Sequence, residues 1–295
     1  MSGRDSETMD TAIVAELRRL LDGVDDLWGA LEAALLAPVI PGSLAAADGA
    51  LPDGRFVRMY AGQALSTAID HLDTWRLLVR GPTISVKCAL SAPVSVELML
   101  PIGAHLTLLR GSLENAARCR WHLEARCSAG IRVGRGYAAR RDDQLERASF
   151  EASRETGALP ARTQGMSAAE RLAQLDSPDP DEAERLREAA GVRTVGYADT
   201  TSLMMKYGHE RLFRLASGVA HGKEWALGAT AELRPVAAAH PTAGVSHGIV
   251  TASDQMTLVM TKATVEAVRA ALADLQAYPS KPADRAGRRR RSPRS

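Results

Sequence analysis

Aromatic residues are scarce in this sequence. Phenylalanine, tryptophan and tyrosine together make up 4% of its 295 residues, whereas hydrophobic residues as a whole make up 45%. A hydrophobic core must therefore be built from leucine, alanine, valine and methionine, a composition that favours helices over sheets. Long apolar runs are also missing, because no stretch approaches the roughly 18 to 20 apolar residues of a membrane-spanning helix. We therefore expect no membrane partner.

Cysteine is rare as well. Cys88, Cys119 and Cys127 are scattered and form no C-x-x-C pair, so the sequence indicates neither a zinc site nor a disulfide scaffold. The first ten residues, MSGRDSETMD, are polar and lack the apolar run of a signal peptide. No glycine-rich nucleotide-binding loop is present. We expect a cytoplasmic protein without a cofactor.

The small net charge of +2 hides an asymmetry along the chain. Seven basic residues and one acid lie between Ser280 and the C-terminus, so this segment carries +6 and the rest of the chain −4. A mildly acidic body argues against a broad basic face for nucleic acid. The basic end has the composition of a disordered segment. It would be a solvated terminus or, alternatively, an electrostatic tether for RNA or another anionic partner.

Apolar residues at helical spacing predict long helices over residues 11–37, 55–80, 96–126, 135–155 and 254–277. Short helices are predicted at 167–175 and 181–190. Residues 83–94 are predicted to form a loop, with a short strand as the alternative, and residues 234–253 a loop with at most a short strand. The predicted fold is an all-α bundle of long antiparallel helices with peripheral short helices. It would form one domain over residues 1–278, with a core over about 55–277 and helix 11–37 packed on it. Residues 279–295 would form the disordered basic tail.

A polar stripe in the segment from His209 to Leu227 indicates a functional site. Seven residues at about 100° each return to within roughly 20° of the starting direction, so Arg214 and His221 lie on one helix face with Ser217 between them. Gly222 would break or cap this helix. A guanidinium, a hydroxyl and an imidazole in one line can bind and act on a phosphodiester. The predicted apolar stripe beside them consists of Leu212, Leu215, Val219 and Ala226.

A second pair of charged residues lies on an earlier helix. Arg110 and Glu114 have the i, i+4 spacing of an ion pair. If their face of the helix is buried, the charges need partners, because an unpaired buried charge is costly.

The residues on these two helices resemble motifs of the HEPN superfamily, the helical nucleotide-binding and RNase domains of prokaryotic defence systems. One branch carries L-x-R-S-L-x-E on a long helix and Y-R-x-L-S-x-x-x-H on a later one. The corresponding residues here are Leu108, Arg110, Gly111, Ser112, Leu113 and Glu114, then Phe213, Arg214, Leu215, Ala216, Ser217 and His221. The spacing of Arg214 and His221 fits the family's R-x(4 to 6)-H pattern at its long end.

The resemblance implies a HEPN-like bundle that dimerises so that two R-x6-H helices line one cleft, and it implies metal-independent RNA cleavage. In that chemistry His221 would assist proton transfer, and Arg214 would bind the scissile phosphate. Ser217 would position the phosphate or bond to its own helix backbone. Glu114 would orient Arg214 or Arg110, or would form a structural ion pair.

The main alternative is a non-catalytic bundle that acts as a protein-interaction or regulatory module. Leu215, where catalytic members often carry a polar residue, and the acidic body favour this alternative. A metal-dependent hydrolase would need a ligand set that the sequence lacks, and we expect His240 and His247 to be surface histidines. Trp225 is expected to fill a core or an interface rather than to stack on a base.

Overall fold

The structure is a computed structural model that describes residues 11–80, 103–153, 185, 187–235 and 248–283. Helices dominate these residues, and the protein is an all-α helical bundle, as predicted. The helices with described bounds are α1 (Thr11–Leu21), α2 (Asp25–Leu36), α3 (Leu44–Gly49), α4 (Arg55–Arg80), α5 (Ala104–His122), α6 (Ala129–Ser153), α7 (Thr200–Lys206), α8 (Glu210–Ala220), α9 (Glu224–Thr230) and α10 (Asp254–Ala277).

One short ribbon of two strands accompanies the helices. Strand β1 (Ala231–Pro235) pairs with β2 (Gly248–Ala252) in antiparallel register, with Ala231 opposite Ala252 and Pro235 opposite Gly248. The sequence predicted a loop over 234–253 with at most a short strand. The two ends of that region pair with each other, so the short strand that the prediction allowed is present, whereas residues 236–247 lie outside the described residues.

The observed bounds of the long helices agree with the apolar periodicity at most ends. Helices α4 and α10 span the predicted residues, whereas α6 begins before the predicted Arg135 and α5 ends at His122 rather than Arg126. The predicted N-terminal helix is divided into α1 and α2 by a 3-10 turn at Asp22–Val24. Glycine at position 23 explains this tighter turn, since glycine is a poor helix former.

The chain forms two compact units, each assembled from three stretches of sequence. The first contains Met1–Ala33, Ala64–Arg118 and Thr200–Leu272, and the second contains Ala34–Gln63, Cys119–Asp199 and Ala273–Ser295. A compact unit differs from a domain, which has its own core and is able to fold alone. The single domain over residues 1–278 therefore stays a prediction.

Polar side chains in the core of the first unit are paired across helices. Ser112 Oγ of α5 donates a hydrogen bond of 2.7 Å to the carbonyl oxygen of Ala68 on α4. The Trp75 indole of α4 donates one of 3.0 Å to Thr261 of α10, and its ring centre lies 5.2 Å from that of His105 on α5. Residue numbers fall along α4 from Trp75 to Ala68 as they rise along α5 from His105 to Ser112, so these helices are antiparallel.

The second unit contains a buried ion pair. The Arg132 guanidinium donates two hydrogen bonds, of 2.8 and 2.6 Å, to the two carboxylate oxygens of Asp48. The Tyr278 hydroxyl donates a third, of 2.6 Å, to the same carboxylate. Burial, and then the charge of Asp48, raise the pKa of the Tyr278 hydroxyl above its ordinary value.

The prediction of a disordered tail from residue 279 onward is wrong for residues 279–283. Backbone amides donate to carbonyl oxygens from Ile40 to Pro279 at 2.9 Å and from Leu44 to Lys281 at 2.8 Å, and Ala283 donates back to Gly42 at 2.9 Å. The segment 279–283 is thus hydrogen-bonded to residues 40–44, which lead into α3. Its composition did not indicate this, because backbone pairing with a distant loop has no periodic signal.

Several predictions lie outside the described residues. They are the loop at 83–94, the start of the helix at 96–126, the end of the helix at 135–155, the helix at 167–175, the first part of the helix at 181–190, His240 and His247, and the tail from residue 284 onward. Among the helices that the structure describes, none has the length and apolar character that crossing a membrane requires.

Candidate functional site

Helix α8 buries one face and leaves another open. The buried side chains are Phe213, Ala216 and Val219, whereas Leu212 and Leu215 of the predicted apolar stripe are only half-buried. The buried face therefore includes Phe213 and Ala216, which the predicted stripe lacked, beside Val219. The guanidinium carbon of Arg110 lies 5.1 Å from the centre of the Phe213 ring, a cation–π distance.

The helix ends in a turn that reverses the chain. His221 is the C-cap residue, and Gly222 follows in the left-handed region with φ of 64°. The Gly222 amide donates to the Val219 carbonyl at 3.0 Å, and the Lys223 amide donates to the Gly218 carbonyl at 2.8 Å. This pair of bonds is a Schellman motif. The predicted stop at Gly222 is confirmed.

Helix α9 then packs closely against α8 at Gly218. A Cβ atom on Gly218 would lie 2.6 Å from Ala226 Cβ and 2.8 Å from Trp225 Cζ2, both far inside normal contact distance. Only glycine therefore allows the Trp225 ring to rest against α8 in this position. The close approach brings Lys223 and Trp225 beside the polar face of α8.

A pocket of about 340 Å³ lies at this junction, within the first unit. Its described lining includes the predicted residues Arg214, Ser217 and His221. The other lining residues are Thr201, Phe213, Gly218, Lys223 and Trp225. The three residues that the sequence placed on one helix face thus open into one space.

The charges of the pocket lining are positive. Arg214 and Lys223 are cationic, and no carboxylate is among the described lining residues. Arg214 makes an ion pair of 2.8 Å with Glu210, one turn earlier on α8. The Arg214 side chain nevertheless remains 60% exposed, so more than half of it is accessible from solvent.

Two side chains in the pocket have no hydrogen-bond partner among the described residues. The hydrogen bonds of the described residues involve neither the Ser217 hydroxyl nor the His221 imidazole. The backbone bond that Ser217 makes comes from its carbonyl oxygen, which accepts from the His221 amide at 3.1 Å. Of the two predicted roles for the Ser217 side chain, bonding to its own helix backbone is therefore not observed.

Glu114 and Arg110 do not form the ion pair that their spacing indicates. Glu114 Oε1 instead accepts hydrogen bonds of 2.8 Å from Arg118 Nη2 and 2.8 Å from Thr200 Oγ1. A glutamate pairs more favourably with a cation four residues toward the C-terminus than with one four residues toward the N-terminus. The Arg110 guanidinium instead lies over the Phe213 ring. Neither Arg110 nor Glu114 belongs to the described lining of the pocket.

Arg110 and Glu114 contact residues that line the pocket or adjoin its lining. Arg110 packs on Phe213, which is itself a lining residue. Glu114 binds Thr200, the first residue of α7, next to the lining residue Thr201. Both predicted residues therefore support the lining without facing the space.

Sequence reasoning missed Lys223. Of the two roles expected for Trp225, filling a core is not observed, because its side chain is 59% exposed and lines the pocket, and filling an interface stays a prediction. The glycine after His221 was the available signal, because a Schellman turn directs the following residues back along the helix. Predicting the close approach of α9 would also have required the packing at Gly218.

A metal centre is not evident in the part of the chain that the structure describes. No group of three or more histidine, cysteine, aspartate or glutamate side chains there is arranged to hold an ion.

Comparisons with protein-family models, with curated proteins and with solved structures found no match to this chain.

Proposed function

We propose that the pocket beside α8 binds the sugar–phosphate backbone of RNA and cleaves it without a metal ion, within a HEPN-like fold. The observation that supports this proposal is the lining itself, where Arg214, Ser217, His221 and Lys223 meet in one open pocket. Cationic side chains can bind the phosphate and stabilise charge that develops on it, a hydroxyl can donate a hydrogen bond to it, and an imidazole can transfer protons.

The reaction begins with the 2′-hydroxyl of the nucleotide before the scissile phosphate. His221 accepts the proton of this hydroxyl, and the oxygen attacks phosphorus. A bond forms between O2′ and phosphorus as the bond to the 5′-oxygen of the next nucleotide breaks. The leaving oxygen takes a proton, so the products are a 2′,3′-cyclic phosphate and a free 5′-hydroxyl. Imidazole suits both proton transfers, because it gains and loses a proton near neutral pH.

Arg214 and Lys223 bind the phosphate and stabilise the charge that develops on it. The ion pair between Arg214 and Glu210 competes only weakly with such a ligand, because exposed pairs of this kind contribute about 0–1 kcal/mol. A guanidinium also presents two parallel N–H groups to the phosphate oxygens. The Ser217 hydroxyl, which has no partner among the described residues, donates to a third position on the phosphate.

A homodimer completes this mechanism. Each described pocket lining contains one imidazole, whereas the reaction needs one group that accepts a proton and another that donates one. Two copies of α8 facing one cleft would supply two copies of His221. This arrangement is the one that the resemblance to the HEPN superfamily implies, and it would operate in the cytoplasm as part of a defence or toxin system.

The test is cleavage of an unstructured oligoribonucleotide by the purified full-length protein in the presence of EDTA. We expect cleavage with a 2′,3′-cyclic phosphate product. His221→Ala is expected to lower the rate by about 100- to 10,000-fold, and Arg214→Ala by roughly 100-fold. Circular dichroism must show that both variants keep the helical fold.

Arg211→Ala is the matched control, because Arg211 is an exposed residue of α8 outside the described pocket lining. Its cleavage rate should equal that of the wild type. An oligodeoxyribonucleotide of the same sequence should resist cleavage, since it has no 2′-hydroxyl. An inert wild-type protein, or folded variants that cut as fast as the wild type, would end the ribonuclease proposal.

The second candidate is a non-catalytic protein-interaction or regulatory module. The exposure of Trp225 (59%) and Met205 (58%) favours it, because large exposed apolar side chains often mark contact surfaces. A wild-type protein that neither cuts nor binds RNA would direct attention to this candidate.

A further inference from the structure

The pocket contains an aromatic surface that phosphate chemistry does not use. We propose that Trp225 is a base-binding residue, on which the nucleobase next to the bound phosphate stacks. This inference rests on the proposed function, since it concerns the same pocket and the same class of ligand.

The Trp225 indole is held in place but not covered. One edge of its six-membered ring rests on Gly218, where Cζ2 and Cη2 lie 2.8 and 3.2 Å from the position of a Cβ atom. The side chain is still 59% exposed and lines the pocket. A large aromatic surface is therefore available to a ligand, and the close packing at the ring edge limits its rotation.

The neighbouring charges distinguish a nucleotide from an apolar ligand. Arg214 and Lys223 line the same pocket as Trp225, so one space offers a flat aromatic surface together with two cations. A nucleotide has the complementary pair of groups, a flat base joined through a sugar to an anionic phosphate. The volume of about 340 Å³ falls at the lower end of the roughly 300 to 1,000 Å³ of small-ligand sites, which suits one nucleotide.

Stacking on Trp225 requires a base that is free of its partner strand. Bases in a duplex are stacked on their neighbours, so their faces are not accessible to a side chain. Every base has an aromatic face, so we expect this contact to be tolerant of sequence.

The experiment compares two ligands that differ only in their bases. One is a short 2′-O-methyl oligoribonucleotide, which cannot be cut because its 2′-oxygen carries no proton. The other has the same backbone with abasic sites. We expect the wild type to bind the first more tightly, and Trp225→Ala to weaken binding of the first by roughly 5- to 150-fold while leaving binding of the abasic ligand unchanged. Trp225→Phe should restore part of the loss.

Trp28→Ala is the matched control, because Trp28 is 37% exposed and lies outside the described pocket lining. It should not change either affinity. Equal losses for both ligands in Trp225→Ala would show that Trp225 supports the fold of the pocket, and would overturn the inference. Conversion of a dimer to a monomer in Trp225→Ala, measured by sedimentation, would instead make it a protein contact and overturn the inference as well.

The outcomes also separate this inference from the proposed function. Base-dependent binding without any cleavage would retain Trp225 as a base-binding residue and remove the ribonuclease activity. Cleavage that proceeds equally well in Trp225→Ala, with equal affinity for both ligands, would retain the ribonuclease activity and remove Trp225 as a base-binding residue. A wild-type protein that binds neither ligand would overturn both.

Discussion

The buried pair of Asp48 and Arg132 shows how this chain places charges in a core. Their side chains are 0% and 2% exposed, and two hydrogen bonds join them directly. Removing charges from water costs several kcal/mol per ion, which a buried pair recovers only when its geometry is good and its other polar atoms are satisfied. The Tyr278 hydroxyl provides one such further bond to Asp48.

We expect Asp48→Ala to lower the free energy of unfolding by about 3–5 kcal/mol, because it leaves the Arg132 guanidinium buried without its partner. Urea denaturation of the two proteins measures this difference. Glu16→Ala is the control, since the Glu16 and Arg19 side chains are 38% and 68% exposed and their pair should hardly affect stability. A loss no larger than that of Glu16→Ala would contradict the prediction.

Among the secondary-structure elements, α6 depends on two glycines for its contact with an extended segment. A Cβ atom on Gly130 would lie 1.9 Å from the Gly191 carbonyl oxygen, and one on Gly134 would lie 1.9 Å from the Arg193 carbonyl oxygen. The Arg193 amide also donates to the Gly130 carbonyl at 3.0 Å. The segment from residue 191 thus lies directly on the helix backbone, at a distance that a side chain would prevent.

Gly134→Ala should therefore separate this segment from α6. We expect a loss of roughly 1–3 kcal/mol in the free energy of unfolding, together with faster hydrogen exchange at the Arg193 amide. Gly29→Ala in α2 is the matched control, because nothing lies within 4 Å of a Cβ atom there, and alanine should stabilise the helix by about 0.5–1 kcal/mol. A Gly134→Ala protein as stable as the wild type would show that the segment shifts at no cost.

For the molecule as a whole, the distribution of charge bears on the proposed ligand. Six arginines lie between residue 285 and the C-terminus, and changing all of them to glutamine would take the net charge from +2 to −4. They are Arg285, Arg288, Arg289, Arg290, Arg291 and Arg294. Such a change would remove the chain's densest cluster of positive charge. The change matters for binding because RNA, the proposed ligand, is a polyanion.

We expect the full-length protein with these six arginines changed to glutamine to bind the 2′-O-methyl oligoribonucleotide more weakly. The slope of log affinity against log salt should become shallower by up to about 4, since each phosphate contact on a single strand contributes about 0.7. A variant with lysine at the same positions keeps the charge and should keep the slope. An unchanged slope in the glutamine variant would show that the basic end makes no contact with RNA.

Local spacing was enough to predict much of this protein. The apolar periodicity predicted the all-α class and the bounds of α4 and α10. The seven-residue step predicted that Arg214 and His221 share one helix face, and both residues line the described pocket. These predictions succeeded because helix geometry is a local property, which repeats with the sequence itself. The stop at Gly222 was predictable for the same reason.

Packing between distant residues was needed for the rest. Trp225 and Lys223 line the pocket because Gly218 allows α9 to pack closely on α8. Glu114 forms hydrogen bonds with Arg118 and Thr200 rather than with Arg110. Residues 279–283 form backbone hydrogen bonds with residues 40–44. None of these contacts has a period in the sequence. Apart from the pair of Glu114 and Arg118 on α5, each contact joins residues that are far apart in the sequence or on different helices, so only the packing of the helices determines which partners meet.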